Sequence, residues 1–443
     1  MDFDVVVVGS GVVGLFVTHE LVRRGFSVAV VDRYLEPGWG VSKRHAGVIH
    51  VIQLPFSAYK SRLMRRGNKM YPAICKWLGV ECREVPALLV VDKWWKIPLV
   101  FVACLYLRLN GVDCSVCLRC AEYRRDFNFA TAVVVRGYKV VDSFGLIYRL
   151  YDVLRATGVH FYLGCEVRSF AEDGDGVVVE TSCGALRGRY LVNAAGLYAD
   201  ELAKKAGIDV EIKPGKGVMA IFHGREIGAI IAPLTLQPHP RTKGGAVIPT
   251  IYGTVLFGPN LVDATSKGDF ETDPENFNLL VEKFSRYVKD FDKLTPVKIF
   301  AGNRPLSPTG DVMIKTGRRS VHIIGTESPI FTGAPALAQD VVKILEEMGM
   351  EKREPTELPP PEPIKKCGRV VCPCRGVTEC EIREAVRRGS RTLDGVMYRF
   401  GIGMGLCQGS RCLAEILKII SEELGVEPGK VTKFGGGSWL VLS

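Results

Sequence analysis

Near its N-terminus the chain contains Asp4-Val5-Val6-Val7-Val8-Gly9-Ser10-Gly11-Val12-Val13-Gly14, and a second apolar run follows at Val28-Ala29-Val30-Val31-Asp32. Each valine-rich run has the composition of a strand that is buried on both faces of a parallel sheet. Between the two runs, apolar residues recur at helical spacing until Gly25, a residue typical of helix ends. The stretch therefore predicts a complete βαβ unit with a glycine-rich turn after its first strand.

The three glycines of this turn, Gly9, Gly11 and Gly14, have separate tasks in a dinucleotide-binding unit. The first permits a tight turn, the second lets the backbone approach a pyrophosphate, and the third lets helix and strand pack closely. Asp32 ends the second strand, where a carboxylate accepts hydrogen bonds from an adenosine ribose, and this argues against a 2′-phosphorylated cofactor. The alternative is a glycine-rich turn without a ligand, and the glycine pattern alone does not distinguish FAD from NAD.

The composition is that of an ordinary globular protein. The chain has 443 residues, of which 47% are hydrophobic and 24% charged, and its formal net charge is +10. This length suggests about three domains. Because the basic residues are scattered along the chain, we expect no nucleic-acid partner, whereas an anionic substrate or an acidic membrane surface stays compatible.

The first strand begins by Phe3, so the sequence predicts no leader peptide and a cytoplasmic protein. Residues 97–107 form the most apolar segment, but a spanning helix needs roughly 20 residues. Any association with the membrane is therefore expected to be peripheral, at its inner face.

Changes in pattern predict a fold of the α/β class, in which a Rossmann-like nucleotide-binding domain is interleaved with an antiparallel-sheet substrate domain of α+β type. A small helical domain follows a proline-rich linker. The expected segments are the nucleotide-binding parts 1–84, 139–211 and 301–350, the cap and substrate parts 85–138 and 212–300, the linker 351–366 and the C-terminal domain 367–443.

Four of the fourteen cysteines form two close pairs near the C-terminus, Cys372 with Cys374 and Cys407 with Cys412. Four thiolates are the ligands of a [2Fe–2S] cluster, and tetrahedral zinc is the main alternative because four cysteines suit both. The glycine-rich run 401–405 brings backbone N–H groups toward sulfide, which favours the iron–sulfur cluster.

The remaining cysteines predict no further metal site. Cys114, Cys117 and Cys120 are regularly spaced but have no evident fourth ligand, so structural cysteines are favoured there, and whether they bind anything stays open. Cys367 and Cys380 are expected to be spare thiols.

Several motifs together resemble one family over nearly the whole chain. Besides the N-terminal unit, they are Arg44-x-x-Gly47-Val48-Ile49-His50, Val192-Asn193-Ala194-Ala195-Gly196-Leu197-Tyr198-Ala199-Asp200, Gly302-x-Arg304-Pro305-Leu306 and Gly325-Thr326-Glu327-Ser328-Pro329. They look like the FAD-dependent D-amino-acid-oxidase superfamily. Within it they most resemble the large subunit of anaerobic glycerol-3-phosphate dehydrogenases and the related L-2-hydroxyglutarate dehydrogenases. The C-terminal cysteine pattern resembles bacterioferritin-associated ferredoxin, a domain fused to the same subunit.

The resemblance implies that the dinucleotide is FAD and that the cysteines hold a [2Fe–2S] cluster. The predicted flavin-binding residues are Gly9, Gly11, Val13, Gly14, Asp32, Arg33, Ser42, Arg44, Gly47, Val167, Ala195, Gly196, Gly302 and Thr332. This chain also departs from the family. His45 stands where the family usually has asparagine, and Ile330-Phe331 replaces the usual Gly-Leu, which leaves open a narrower cavity beside the flavin and a different substrate.

Two residues are the candidates for catalysis. His50 is predicted to act as a general base or hydrogen-bond partner for a substrate hydroxyl, and the alternative is that it packs on the flavin ring. Arg304, in a loop expected over the flavin, is predicted to bind a phosphate or carboxylate through two hydrogen bonds. The alternative is that Arg304 holds the flavin or an acidic side chain of the protein itself.

These features predict a dehydrogenase that oxidises sn-glycerol 3-phosphate to dihydroxyacetone phosphate. Electrons would pass from FAD through the cluster to a partner subunit and then to quinone. The alternatives are a 2-hydroxy acid such as L-2-hydroxyglutarate, an amino or imino acid, and a non-catalytic electron-transfer or iron-handling protein. The match at Gly47-Val48-Ile49-His50 favours a hydroxy substrate.

Overall fold

The structure is a computed structural model that describes residues 2–235 and 244–441; residues 236–243 of the expected substrate segment 212–300 lie outside it. Its strands are β1 Asp2–Val8, β2 Val28–Asp32, β3 Val48–Ile49, β4 Cys82–Glu84, β5 Ala87–Val91, β6 Cys114–Cys117, β7 Thr131–Val135, β8 Lys139–Val141, β9 His160–Leu163, β10 Val167–Asp173, β11 Gly176–Thr181, β12 Gly184–Asn193, β13 Lys213–His223, β14 Ile230–Pro233, β15 Ala246–Pro249, β16 Val255–Gly258, β17 Val262–Asp263, β18 Thr295–Leu306, β19 Met313–Thr316, β20 Ser320–Ile324, β21 Val370–Cys372 and β22 Val377–Thr378. Its helices are α1 Val12–Val22, α2 Tyr59–Leu78, α3 Ile97–Leu109, α4 Ser143–Ala156, α5 Ala199–Lys205, α6 Pro274–Phe284, α7 Ile330–Glu347, α8 Glu379–Arg387, α9 Leu393–Arg399 and α10 Leu413–Leu424.

The first sheet contains the predicted βαβ unit. Its strand order is β10-β11-β12-β1-β2-β9. Strand β20 also pairs with the second half of β12, and β19 pairs with β20. Strand β1 is parallel to both β12 and β2. Val5 and Val7 pack into the core beneath α1 and α7, whereas Val6 and Val8 pack into a second core on the opposite face. Burial on both faces explains why this strand is uniformly apolar rather than alternating.

The second sheet is mainly antiparallel, with the strand order β17-β13-β16-β15-β14-β5-β7-β6, and β18 pairs with β13. Helix α3 covers part of it through Val100, Cys104 and Leu107, and α6 packs on it through Leu280 and Phe284. Strands β3, β8 and β4 form a separate small sheet, which in the described part of the chain does not pair with either of the two large sheets.

Residues 301–306 differ from the sequence expectation, which placed them in the nucleotide-binding part 301–350 and in a loop. They are the last residues of β18, and Gly302 lies opposite Gly217 in the second sheet. The expected boundary after residue 300 therefore falls inside a strand. Glycine and proline usually signal a loop, but here glycine meets a packing need. A Cβ at Gly302 would lie 2.8 Å from the carbonyl oxygen of Arg44.

The C-terminal domain packs directly on the first domain. Arg399 of α9 donates to Asp152 of α4 at 2.5 Å, and both side chains are buried. Glu36 accepts the backbone N–H groups of Arg391 and Thr392 at 2.8 and 3.0 Å. The segment 351–366 also contacts the first domain, because Trp77 donates its indole N–H to a carbonyl in it.

Six cysteines form disulfides in the described residues, pairing Cys117 with Cys120, Cys165 with Cys183, and Cys367 with Cys380. Cys367 and Cys380 are therefore not the spare thiols that we expected. The fold brings the segment before β21 and the start of α8 together across thirteen positions, a proximity that spacing alone does not show.

The described residues contain no helix that is long and apolar enough to cross a membrane. Helix α3, the most apolar segment, has thirteen residues.

Replacing Asp152 with alanine is expected to lower the free energy of unfolding by about 3 to 5 kcal/mol, because the Arg399 guanidinium would stay buried without its partner. Chemical denaturation of the holoenzyme measures this change. The control is Asp173→Ala, which breaks an exposed pair with Arg187 at 3.9 Å and should cost less than about 1 kcal/mol. Equal losses in the two variants would contradict the importance of the buried pair.

Candidate active site and cluster centre

A cavity of about 420 Å³ lies where β1, β2 and β12 end, and β13 and β18 of the second sheet close its other side. Val8 and Gly9 line it after β1, Asp32 at the end of β2, and Ala194 and Ala195 after β12. The carboxyl ends of parallel strands are the usual ligand-binding edge of such sheets. The cavity is therefore where the glycine motif predicts the dinucleotide.

The glycine turn forms a close backbone cradle. Gly9 has φ +105°, and a Cβ there would lie 2.5 Å from the carbonyl oxygen of Ala194. A Cβ at Gly14 would overlap the Gly9 carbonyl, so helix and strand approach only without side chains. The first N–H groups of α1 have no acceptor within the helix. That of Val12 donates to the Ser42 hydroxyl at 3.0 Å, and such a helix start suits the pyrophosphate of a dinucleotide.

Hydrogen bonds hold the carboxylate of Asp32, the predicted ribose-binding acid, in place. One carboxylate oxygen accepts the Ser10 N–H at 2.7 Å and the Ser10 hydroxyl at 2.8 Å, and the other accepts the Tyr34 N–H at 2.9 Å. Burial raises the pKa of Asp32, and these hydrogen bonds oppose that shift.

The structure brings most predicted flavin-binding residues to this one cavity. Gly14, Gly47 and Thr332 do not line it. The residues that do are Gly9, Gly11, Val13, Asp32, Arg33, Ser42, Arg44, Val167, Ala195, Gly196 and Gly302.

The three exceptions support their neighbours. Gly14 packs against the turn, Gly47 donates its N–H to the His45 Nδ1 atom at 3.0 Å, and the Thr332 hydroxyl accepts the His50 N–H at 3.0 Å.

His50 lines the cavity, and its backbone is fixed on both sides. Its N–H donates to Thr332, and its carbonyl accepts from the Asn68 amide at 2.9 Å. Its ring meets Tyr138 edge to face, with centroids 6.0 Å apart. Burial, and then the charge of Arg304, lower the pKa of His50 to about 4. The imidazole is therefore neutral at pH 7 and has a lone pair that can accept a proton.

Arg304 lies on the same cavity wall, near the end of β18. Among residues 2–235 and 244–441, no group forms a hydrogen bond or an ion pair with its guanidinium. Burial lowers its pKa, and the nearby carboxylate of Glu327 opposes that shift. Glu327 itself pairs with Lys60 at 2.8 Å. A Cβ at Gly217 would lie 3.1 Å from the guanidinium, so glycine leaves it room.

His45 and Phe331, the two departures from the family, lie against each other with ring centroids 4.1 Å apart. Both line the cavity. Burial, with the charge of His50, lowers the pKa of His45 to about 3, so the ring is neutral. Its Nδ1 accepts from Gly47, which puts the proton on Nε2, and that buried nitrogen has no partner among the described atoms. A buried donor on the cavity wall fits a ligand with ring carbonyls such as a flavin.

Sequence reasoning missed several residues of the cavity wall. Glu327 lies in a motif quoted for the resemblance, although no role was assigned to it. Met219 and Phe270 reach the cavity from the second sheet and the loop before α6, and no local pattern marks them.

The four predicted cluster ligands lie together in the C-terminal domain as two pairs. The sulfurs of Cys374 and Cys407 are 3.8 Å apart, and Cys412 lies beside Cys372. Each pair takes one cysteine from each loop. In the described chain, no three His, Cys, Asp or Glu side chains form a group ready to hold a single metal ion. Two pairs of thiols fit the two irons of a [2Fe–2S] cluster.

The loop around Cys407 also fits a thiolate ligand. The backbone N–H groups of Gly409 and Arg411 donate to its sulfur, and they lower the pKa of this thiol. Gly409 has φ +86°, and a Cβ there would lie 2.6 Å from the methyl group of Met397. Glycine therefore lets the loop close over α9 while its N–H groups face the sulfur.

The chain belongs to the FAD dependent oxidoreductase family, whose model matches residues 4–344. The model of the BFD-like [2Fe-2S] binding domain matches residues 370–422. The predicted family and fold class are thus confirmed, and the cofactors of this oxidoreductase are FAD and a [2Fe–2S] cluster. The roles of individual residues stay predictions.

The chain is 27% identical to the glycerol 3-phosphate dehydrogenase of Caloramator mitchellensis, over 99% of this chain and 98% of that protein. It is 23% identical to the anaerobic glycerol-3-phosphate dehydrogenase subunit A1 of Haloferax volcanii, over 95% and 83%. Among solved structures, the L-alpha-glycerophosphate oxidase of Mycoplasma pneumoniae matches with a TM-score of 0.72 at 20% identity, covering 82% of this chain and 97% of that chain. The structural match shows the fold alone.

Protein purified without oxygen is expected to contain about one FAD and about two irons per chain. Replacing both Cys407 and Cys412 with serine should remove the iron and leave the FAD, because the two sites lie in different domains. Metal analysis and the visible spectrum measure both contents. Cys75→Ser, which changes a buried thiol far along the sequence from the cluster loops, is the control and should keep its iron. One zinc and no iron in the unaltered protein would contradict the assignment.

Proposed function

We propose that this protein oxidises sn-glycerol 3-phosphate to dihydroxyacetone phosphate and exports the electrons through its [2Fe–2S] cluster to a partner that serves quinone. The similarity to glycerol 3-phosphate dehydrogenases over nearly the whole chain supports this substrate. The observation that carries the proposal is the Arg304 guanidinium, which has no hydrogen-bond or ion-pair partner among residues 2–235 and 244–441, near the neutral imidazole of His50, with both side chains on the wall of the same cavity.

Arg304 is proposed to bind the substrate phosphate. A guanidinium donates two parallel hydrogen bonds to a phosphate, which fixes the orientation of the rest of the molecule as well as its position. Lys60 already neutralises Glu327 at 2.8 Å, so that carboxylate does not occupy Arg304 by a direct ion pair. The positive charge is therefore left for a ligand.

His50 is proposed to accept the proton of the substrate hydroxyl. FAD, when bound, accepts the hydride from the adjacent carbon, and the cluster carries the electrons one at a time. In the free protein, burial and the charge of Arg304 hold the pKa of His50 near 4. A phosphate on Arg304 would offset that positive charge and raise the pKa of His50, so substrate binding would itself make the imidazole a better base.

A packed path between the cavity and the cysteine loops supports the export of electrons through the cluster. Ser42 and Arg44 line the cavity, and between them Lys43 places its ammonium 3.1 Å from the centre of the Trp39 ring. Trp39 contacts Tyr398 of α9, with ring centroids 5.4 Å apart. The next residue toward the N-terminus, Met397, packs against the loop of Cys407.

Replacing Arg304 with alanine is expected to lower kcat/KM for glycerol 3-phosphate by roughly 10- to 100-fold or more, since a charge-assisted hydrogen bond contributes about 1.5 to 3 kcal/mol. Arg304→Lys should restore only part of this kcat/KM, because lysine supplies the charge but cannot donate two parallel hydrogen bonds. The measurement is anaerobic reduction of the bound flavin by glycerol 3-phosphate, L-2-hydroxyglutarate, glycerol and proline.

The comparison among substrates separates the alternatives. Glycerol has no phosphate, so its slow reaction should be insensitive to Arg304→Ala. An equal loss for glycerol and glycerol 3-phosphate would assign Arg304 to the flavin or the fold, and rapid reduction by proline alone would reject a hydroxy substrate.

Replacing His50 with asparagine is expected to slow flavin reduction by about 10²- to 10⁴-fold, the usual contribution of a general base. A histidine whose pKa is lowered to about 4 keeps its neutral form at every pH above that value. The ratio of kcat/KM between the unaltered protein and His50→Asn should therefore be constant from pH 5 to 8. Using the ratio removes the ionisation of the substrate phosphate from the profile.

His160→Asn is the matched control, because His160 is exposed on β9 and does not line the cavity. It should leave the rate unchanged. A ratio that falls as the pH drops below about 6.5 would show that His50 titrates at its ordinary value and would contradict the assignment.

A further inference from the structure

Helix α3 and the turn before it expose a concentration of large apolar side chains. This α3 surface consists of residues 93–109. At least half of each of the following side chains is exposed: Trp94, Trp95, Phe101, Val102, Leu105 and Leu109. Soluble surfaces seldom gather so many large apolar groups on one element, and such a patch marks an interaction site.

The inward face of α3 is already satisfied. Val100, Cys104 and Leu107 are buried against the second sheet, at the spacing of one helical face. The Cys104 sulfur lies 3.4 Å from that of Cys114, and the Arg108 guanidinium donates to the Cys114 carbonyl at 2.9 Å. The helix is thus firmly seated, so its outer apolar face is not needed for folding the domain.

The apolar surface continues onto the loop before α2. Tyr106 contacts Phe56 with ring centroids 5.8 Å apart, and Leu54 of the same loop is 52% exposed. Arg65 joins the two segments by donating to the Phe56 carbonyl at 3.2 Å and to the Asn110 carbonyl at 3.3 Å. The patch is therefore a continuous, rigid surface rather than one flexible helix.

The charges around this surface are all of one sign except at its edge. The sequence has no Asp or Glu from residue 93 to residue 112, and the cations are Lys93, Lys96 and Arg108. Asp92 lies just outside and pairs with Lys96 at 2.7 Å. Two tryptophans next to lysines at one end of an apolar helix are the arrangement found at membrane–water interfaces.

We propose that the α3 surface binds the surface of an anionic lipid bilayer, with α3 lying parallel to the membrane. The helix is about 20 Å long, shorter than the hydrocarbon core of about 30 Å, so it lies on the bilayer without crossing it. Trp94 and Trp95 lie at the headgroups, and Lys93 and Arg108 contact lipid phosphates.

A second copy of the chain fits this surface less well. A symmetric contact through α3 would bring the same cations near one another, with no acid between residues 93 and 112 to balance them. The bilayer supplies both an apolar phase and negative charge. This inference does not depend on which substrate the protein oxidises.

The test is flotation of the FAD-loaded full-length protein with vesicles. Vesicles of phosphatidylcholine with about one third phosphatidylglycerol should bind the protein at low salt. Pure phosphatidylcholine vesicles should bind at least several-fold less protein. Raising the salt to about 0.5 M should weaken binding to the anionic vesicles, because salt screens surface charges. The double variant Phe101→Ser/Leu105→Ser should lower the partition coefficient at least about tenfold, and so should Trp94→Ser/Trp95→Ser.

Two controls match these changes in chemistry but lie elsewhere on the surface. Trp439→Ser and Leu279→Ser remove exposed apolar side chains in the C-terminal domain and on α6, and they should leave the partition coefficient unchanged. Flavin content, the thermal midpoint and the anaerobic rate of flavin reduction should be the same in all variants, which shows that any loss of binding is not a loss of folding.

Three outcomes would overturn the proposal. The unaltered protein stays unbound with anionic vesicles at low salt, or the control variants lose binding as much as the α3 variants do. Alternatively, sedimentation velocity without lipid shows a dimer that Phe101→Ser/Leu105→Ser converts to a monomer, which would assign the surface to a second copy of the chain.

Discussion

At the end of β1, the backbone of Gly9 lies so close to Ala194 that a single added carbon would come within 2.5 Å of its carbonyl oxygen. This approach joins the first turn of the βαβ unit to the end of β12, and it directs the start of α1 toward the cavity. The position of Asp32, the N–H groups of the first helical turn and the cavity wall at Ala195 all depend on it. A side chain at this point would move each of them by more than a hydrogen bond tolerates.

The second constraint is the low polarity of the cavity beside that turn. His45, His50 and Arg304 carry ionisable groups into a region where burial disfavours charge, and each has its pKa lowered. The two imidazoles respond by staying neutral, whereas a guanidinium keeps its proton. The same environment therefore leaves one fixed cation and two neutral imidazoles on the cavity wall, because these residues differ in intrinsic basicity.

The C-terminal domain depends on a different kind of contact. Buried charged groups, Asp152 with Arg399 and Glu36 with backbone N–H groups of the other domain, set the position of α9 on the first domain. Such contacts have strict geometry, and a misplaced partner leaves a buried charge unpaired. They therefore specify one arrangement of the two domains more than they add stability. This arrangement brings α9 between the cavity wall and the loop of Cys407.

The sequence by itself determined the βαβ unit, the two cofactors and the family, and it predicted the ribose-binding acid and the four cluster cysteines, whose roles stay predictions. Each of these rests on residues close together in the chain, where glycine, valine and cysteine have local physical requirements. The tertiary structure decided what depends on distant segments. Only the pairing of β13 with β18 showed that Gly302 and Arg304 lie in a strand, because glycine and proline signal a loop wherever their partners are unknown. The sequence could equally not predict three other features. These are the pairing of Cys367 with Cys380, the contact of His45 with Phe331, and the position of the second-sheet residue Met219 in the cavity wall. Each results from folding that joins positions whose local patterns are independent of one another.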